Sequence, residues 1–201
     1  MITSLDNPEP NYKTIVSHYK GKRFNSPNDL VIDKKGDIYF TDPYFGLPKD
    51  RREELNEQGF QGVYKIDKEG NVKLLTNNWP GPNGIGLAPD NRTLYITNTR
   101  PPGLIAFNLS NTGDLSNQRI IFNAQVLVKA SVSKQKPDGM VINKDDIIFM
   151  RGPVGVLIIT PGGKHLGTIR TNKRTSNCAF NEDETVLYIT CDDLVLRAIL
   201  K

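Results

Sequence analysis

Three polar residues recur in one frame along the chain. Asn28, Asn83 and Asp138 each follow a proline, in Pro27-Asn28-Asp29, Pro82-Asn83-Gly84 and Pro137-Asp138-Gly139, with the copies 55 residues apart. Two amide oxygens and a carboxylate are hard ligands, suited to Ca2+ or Mg2+ rather than to a thiophilic metal. A fold that brings the three copies to one point would make them a cation site. The prolines would stiffen the approach, and Gly84 and Gly139 would let backbone come close to a ligand. Asn and Asp also cap turns at strand starts, which explains any single copy equally well. Capping leaves unexplained why the third copy changes to Asp within the same frame. A weaker fourth copy is Ser176-Asn177-Cys178.

The elements that would position these residues repeat in phase with them. An apolar strand follows each copy: Leu30-Val31-Ile32, Ile85-Gly86-Leu87, Met140-Val141-Ile142 and Cys178-Ala179-Phe180. A polar turn leads to a second strand, in Ile38-Tyr39-Phe40-Thr41, Leu94-Tyr95-Ile96-Thr97, Ile147-Ile148-Phe149-Met150 and Leu187-Tyr188-Ile189-Thr190. A third strand and a more polar fourth follow, for example Val63–Ile66 and Val72–Leu75. β-branched and aromatic residues fill these runs and turn residues bound them. Four strands per repeat of about 40–55 residues is the pattern of β-propeller blades. Helical periodicity is nearly absent; only Lys49 to Gln58 suggests a helical turn, within a loop insertion. The expected division is outer strands of a blade over 1–24, blades over 25–78, 79–130 and 131–172, and an incomplete last blade over 173–201. Met1 to Asp6 fits a third strand and Thr14 to His18 a fourth. That fourth strand could clasp the last blade and close a four-bladed ring. The favoured expectation is an open arc with apolar faces exposed at both ends, where a homo-oligomer could form.

Other chemistries find little support. His18 and His165 fall in or beside outer strands, away from a channel. There is no Gly-x-Ser-x-Gly elbow, and Gly84-Ile85-Gly86 lacks the third glycine and helix of a dinucleotide site. Pro161-Gly162-Gly163-Lys164 is a hairpin turn. Cys178 and Cys191 are expected as buried hydrophobes. They are the only cysteines, which excludes a disulfide framework or a cysteine-rich zinc site.

The 201 residues carry a formal charge of +4, with Lys and Arg scattered rather than interleaved with aromatics. A nucleic-acid partner is therefore not expected. No stretch approaches the roughly 20 apolar residues of a membrane span, so no membrane partner is expected either. The first residues show no basic start and apolar run, which points to a cytoplasmic location.

The motifs resemble a known family. Arg23-Phe24-Asn25-Ser26-Pro27-Asn28-Asp29-Leu30 with Gly36-Asp37-Ile38-Tyr39-Phe40-Thr41-Asp42-Pro43 is similar to the gluconolactonase branch of the SMP-30/gluconolactonase/LRE family. Gly81-Pro82-Asn83-Gly84, Pro137-Asp138-Gly139-Met140 and Thr175-Ser176-Asn177-Cys178-Ala179-Phe180 match its later blades in order. The resemblance implies an all-β, six-bladed propeller, here about four blades, binding one divalent cation in the channel. It implies Asn28, Asn83 and Asp138 as metal ligands and Asp138 as general base. The metal would be Ca2+ first, with Zn2+, Mn2+ or Mg2+ as alternatives, and the substrate a small sugar lactone such as glucono-1,5-lactone. Asp42, Tyr44 and Asn177 are further candidates for substrate contact.

The family's fourth ligand, a glutamate in a Glu-Gly-Pro-like motif of its first blade, has no counterpart here. Relative to the family, the chain lacks that blade and the inner half of the next. Two alternatives to a lactone hydrolase follow: a truncated, catalytically inactive paralogue or binding protein of the same fold, and a strictosidine-synthase-like propeller enzyme. The Asn/Asn/Asp set argues for the lactonase branch over the last.

Overall fold

Residues 13–200 are described by a computed structural model. After a two-stranded hairpin, β1 (His18–Tyr19) and β2 (Lys22–Arg23), the strands form four antiparallel sheets in chain order. Blade one holds β3 (Leu30–Ile32), β4 (Ile38–Asp42), β5 (Gly62–Ile66) and β6 (Val72–Thr76). Blade two holds β7 (Pro82–Leu87), β8 (Thr93–Thr99), β9 (Pro102–Leu109) and β10 (Leu115–Asn123). Blade three holds β11 (Met140–Ile142), β12 (Ile148–Gly152), β13 (Gly155–Ile159) and β14 (His165–Arg170). Blade four holds β15 (Thr175–Phe180), β16 (Val186–Cys191) and β17 (Leu194–Ile199). The fold is the all-β propeller arrangement that the repeat predicts.

The turn between the first two strands of each blade has one chemistry. The fourth residue takes a positive φ: Gly36 at 90°, Asn91 at 57°, Asp146 at 60° and Glu184 at 57°. Asn, Asp and Gly suit this left-handed region, and the turn residue before them often supplies an acceptor. Asp33 Oδ1 accepts the N–H groups of Lys35 and Asp37 at 2.8 and 3.0 Å. Asn143 Oδ1 does the same for Asp145 and Ile147 at 3.1 and 2.7 Å.

Strand alternation sends successive side chains to opposite faces, and each face packs on a different neighbour. Tyr39 and Val63 of blade one meet Ile85, Leu94 and Ile96 of blade two. Tyr95 and Leu104 of blade two meet Met140, Ile148 and Leu157 of blade three. Phe149 and Val156 of blade three meet Cys178, Leu187 and Ile189 of blade four. Among the described residues no buried apolar cluster joins blade four to blade one. Their free faces keep apolar side chains in solvent, with Leu30 and Ile32 58% and 57% exposed and Val195 and Ile199 71% and 68% exposed.

Three local expectations are corrected. Thr14 to His18 does not form a fourth strand and does not clasp blade four. Positive φ angles at Lys20 (50°) and Gly21 (77°) turn the chain back on itself, so His18–Tyr19 pairs with Lys22–Arg23. Val16, Tyr19 and Phe24 then pack on Phe40, Tyr64 and Ile66 of blade one. The third-strand assignment of Met1 to Asp6 lies outside the described residues. A helix α2 (Gln125–Ala130) follows β10, with Val128 buried and the Gln125 N–H held by Asn123 Oδ1 at 2.9 Å. The loop insertion does contain one helical turn, α1 (Arg52–Leu55), with no buried residue. Finally, the second strand of blade three pairs as Met140 with Met150, so its frame is Ile148-Phe149-Met150-Arg151, one residue later than the sequence pattern suggests.

Candidate active site

Asn28, Asn83 and Asp138 line one cavity of about 630 Å³. Asn28 Nδ2 donates to Asn83 Oδ1 at 2.7 Å, and Asn83 Nδ2 reaches the Pro137 carbonyl at 3.4 Å. Three residues 55 positions apart therefore meet because successive inner strands start at the same level of the ring.

The spacing between them is set by threonines at the ends of the second strands. Thr41 Oγ1 donates to the Asn83 carbonyl and Thr97 Oγ1 to the Asp138 carbonyl, each at 2.7 Å. Thr97 Oγ1 also accepts the Gly84 N–H at 2.7 Å, and Thr190 Oγ1 accepts the Asn177 N–H at 2.9 Å. Each hydroxyl ties its own inner strand, and those of Thr41 and Thr97 also hold Asn83 and Asp138 of the next blade. The repeated threonine of the second strand was legible in the sequence, but its role appears only once blades are placed side by side.

Gly84 and Gly139 serve a different purpose from the one expected. A Cβ on Gly84 would stand 2.4 Å from the Asp138 carbonyl oxygen, and one on Gly139 would stand 2.2 Å from the Asn177 side chain. The neighbour each glycine admits is the next blade, not a ligand. Asp29 holds the equivalent position in the first copy and was missed as a site residue. Its Oδ2 accepts the Ile85 N–H of blade two at 3.2 Å. Burial raises the Asp29 carboxyl pKa, backbone N–H groups of Ile85 and Leu30 oppose the rise, and nearby Asp138 adds to it.

Burial likewise raises the Asp138 carboxyl pKa, against the pull of Arg151, Asn83 and Arg174. Arg151 Nη1 lies 3.8 Å from Asp138 Oδ2. Among the described residues no three His, Cys, Asp or Glu side chains come together. The side chains of the repeated set at the cavity are therefore two amides and one carboxylate, with Asn83 Oδ1 already accepting from Asn28. Their hard-oxygen chemistry fits part of the shell of Ca2+ or Mg2+, with water completing it.

The further candidates lie elsewhere. Tyr44 is half-buried, its hydroxyl accepting from Asn56 Nδ2 at 3.1 Å. Asn177 is exposed and packs against Gly139, with its Oδ1 accepting the Cys178 N–H at 2.8 Å. Asp42 is fully buried, and its two carboxylate oxygens accept the N–H groups of Asn25 and Ser26 at 2.9 and 2.8 Å. None of the three is among the residues lining the cavity. Cys178 is buried as expected, its thiol pushed up to about 12 by desolvation.

Asp42 makes a pH prediction. Burial lifts its carboxyl to about 6, against 3.8 for the free group. The folded state then binds the proton more tightly than the unfolded state. This group's contribution to stability rises as pH falls from about 7 to 4 and is lost as pH rises through 6. The gain is on the order of 3 kcal/mol. Asp42→Asn cannot titrate and also turns an amide N–H₂ toward a backbone N–H. Urea unfolding of both proteins at pH 4.5 and 7.5 should show a stability gap that is larger at the acidic pH. A gap independent of pH would rule out this role.

The comparisons with known proteins follow the same lines. A family model described as the SMP-30/gluconolactonase/LRE-like region matches residues 2–192. A gluconolactonase of Zymomonas mobilis is 33% identical over the whole chain, which spans 57% of that protein. The lactonohydrolase oryL of Aspergillus oryzae is 28% identical over 89% of the chain and 45% of its own length. The solved structure of a gluconolactonase from Xanthomonas campestris superposes with a TM-score of 0.78 at 30% identity, covering 92% of this chain and 61% of that one. The chain thus spans less than two thirds of these relatives. With the match running from the second residue to the last blade, the chain belongs to the SMP-30/gluconolactonase/LRE-like family.

Proposed function

We propose that this chain carries the site of a metal-dependent sugar-lactone hydrolase. The observation that supports this most directly is the meeting of Asn28, Asn83 and Asp138 at one cavity, in a family whose named relatives include gluconolactonases. Asn28, Asn83 and Asp138 are the residues that would hold a divalent cation, Ca2+ first. Bound there, the cation supplies Lewis-acid polarisation of the lactone carbonyl.

The chain's own residues do the rest. Asp138 takes a proton from water as the water oxygen bonds to the carbonyl carbon. The ring C–O bond then breaks and Asp138 returns the proton to the departing ring oxygen. Lactone and water become a hydroxy acid, and the carboxylate is restored. Thr97, bonded to the Asp138 carbonyl, keeps that carboxylate in register with Asn83.

The test is pH-stat hydrolysis of glucono-1,5-lactone before and after chelation. EDTA should lower turnover by roughly two orders of magnitude or more, and Ca2+, Mn2+ or Zn2+ should restore it. A folded chain that hydrolyses no lactone with any of these metals would overturn the proposal.

A further inference from the structure

Arg151 breaks the repeat. The residue paired across from the inner strand after the apolar run is Thr41, Thr97 and Thr190 in blades one, two and four. In blade three it is Arg151, whose N–H donates to the Gly139 carbonyl at 3.0 Å. Where a short hydroxyl would end at the next blade, a guanidinium extends into the cavity, and it is 4% exposed. Nε donates to the Thr175 carbonyl at 2.8 Å, Nη2 to Gln135 Oε1 at 2.8 Å, and Nη1 to the Lys136 carbonyl. These acceptors are neutral. Asp138, at 3.8 Å, is its one ion-pair partner among the described residues.

The cavity holds more positive charge than that carboxylate can match. Lys134, Lys136 and Arg174 line it as well. Lys134 Nζ is turned to the Lys129 carbonyl. Arg174 gives its backbone N–H to the Asp192 carboxylate at 3.0 Å. The side chains of Lys136 and Arg174 make no hydrogen bond or ion pair among the described residues. Arg174 is near enough to act on both Asp138 and Arg151. A divalent cation at the Asn/Asn/Asp set would add to this excess. Apart from its ester oxygens, a neutral sugar lactone offers such a cavity only hydroxyls. An anionic group offers charge-assisted hydrogen bonds to a guanidinium with all its side-chain donors free.

We propose that the substrate is a lactone bearing a second, anionic group, a carboxylate or a phosphate, received by Arg174 and Lys136 over the fixed Arg151. This rests on the lactonase function proposed above and names its substrate class. The reaction is unchanged: the lactone C–O bond is hydrolysed and the anionic group is carried through intact.

The experiment compares kcat/KM for neutral D-glucono-1,5-lactone, D-glucaro-1,4-lactone and 6-phospho-D-glucono-1,5-lactone, with Ca2+ present. At least one anionic lactone should exceed the neutral one about tenfold or more, and which one does so identifies the group. Arg174→Gln should reduce that ratio by about tenfold, through KM, and raising ionic strength should reduce it further. Preference for the neutral lactone, or a ratio that Arg174→Gln leaves unchanged, would overturn the proposal. Absence of all turnover would count against the lactonase function instead. Calorimetric binding then decides the charge preference: glucarate or 6-phosphogluconate should bind more tightly than gluconate, with the difference lost in Arg174→Gln. Equal binding of the three acids would overturn it.

Discussion

Asp138→Ala is expected to lower lactone turnover by roughly 10²–10⁴-fold, the range for loss of a positioned acid–base group, while the chain stays folded. The side chain is 22% exposed and carries none of the inter-blade packing. The Thr97 bond that joins blade two to this residue is made to its carbonyl oxygen, which alanine keeps, while the pull of Asn83 on the carboxyl is lost. Arg151 loses a partner at 3.8 Å but retains its three neutral acceptors. Because Arg151 is 4% exposed and Asp138 is its one ion-pair partner among the described residues, the variant should lose stability, by about 1–3 kcal/mol, held to that range by the neutral acceptors that remain. Asp138→Asn separates the two roles given to the carboxylate. Asn preserves an oxygen ligand but cannot accept a proton. Calorimetric Ca2+ titration of both variants, beside the pH-stat assay, reads ligand and base independently. Retained Ca2+ binding with lost turnover in Asp138→Asn assigns the base; loss of both assigns the charge to metal binding. Undiminished turnover in Asp138→Ala would remove the residue from the mechanism.

The blades were legible because each layer of the argument is local. Apolar runs of β-branched and aromatic residues, bounded by Asp33, Asn143 or Asn181 turns, dictate strands without any long-range information. The meeting of Asn28, Asn83 and Asp138 was legible for the same reason, since Pro-Asn and Pro-Asp recur at a constant interval and the fold converts interval into convergence. What was not legible depended on register or on neighbours. Ile147 to Met150 fits the apolar pattern as well as Ile148 to Arg151, and only the pairing of Met140 with Met150 decides between them. That one-residue difference hid Arg151 from the site, because a slip of one moves a side chain to the other face. The bridging threonines were visible as a repeated letter, but a hydroxyl that bonds the next blade leaves no local trace. Asp42 reads as a polar residue at a strand end, and its burial follows from the way residues 25 and 26 close over it.

Gly84→Ala should damage both stability and activity, and its contrast with Gly86→Ala makes the cause measurable. The added methyl at Gly84 would stand 2.4 Å from the Asp138 carbonyl oxygen and 2.9 Å from the Gly139 Cα. Both are backbone atoms of blade three, held by the Thr97 hydroxyl on one side and by the Gly139 N–H to Ser176 carbonyl bond on the other. Relief requires the seam between blades two and three to open. Overpacking of this kind costs about 1–3 kcal/mol, more where backbone must move. At Gly86 the nearest atom is Ile142 Cδ1 at 2.9 Å, the far end of a flexible side chain, so a change of rotamer suffices. Gly84→Ala should therefore unfold at lower denaturant than Gly86→Ala, by an amount equivalent to roughly 1 kcal/mol or more. The same opening carries Asp138 away from Asn83. A displacement near 1 Å at a reacting group can cost about 10²-fold in rate, so the activity loss should exceed the stability loss in proportion. Equal midpoints and equal rates for the two variants would mean that the inner strands are not held as closely as the glycine pattern demands, and the link from blade packing to catalytic geometry would fail with them.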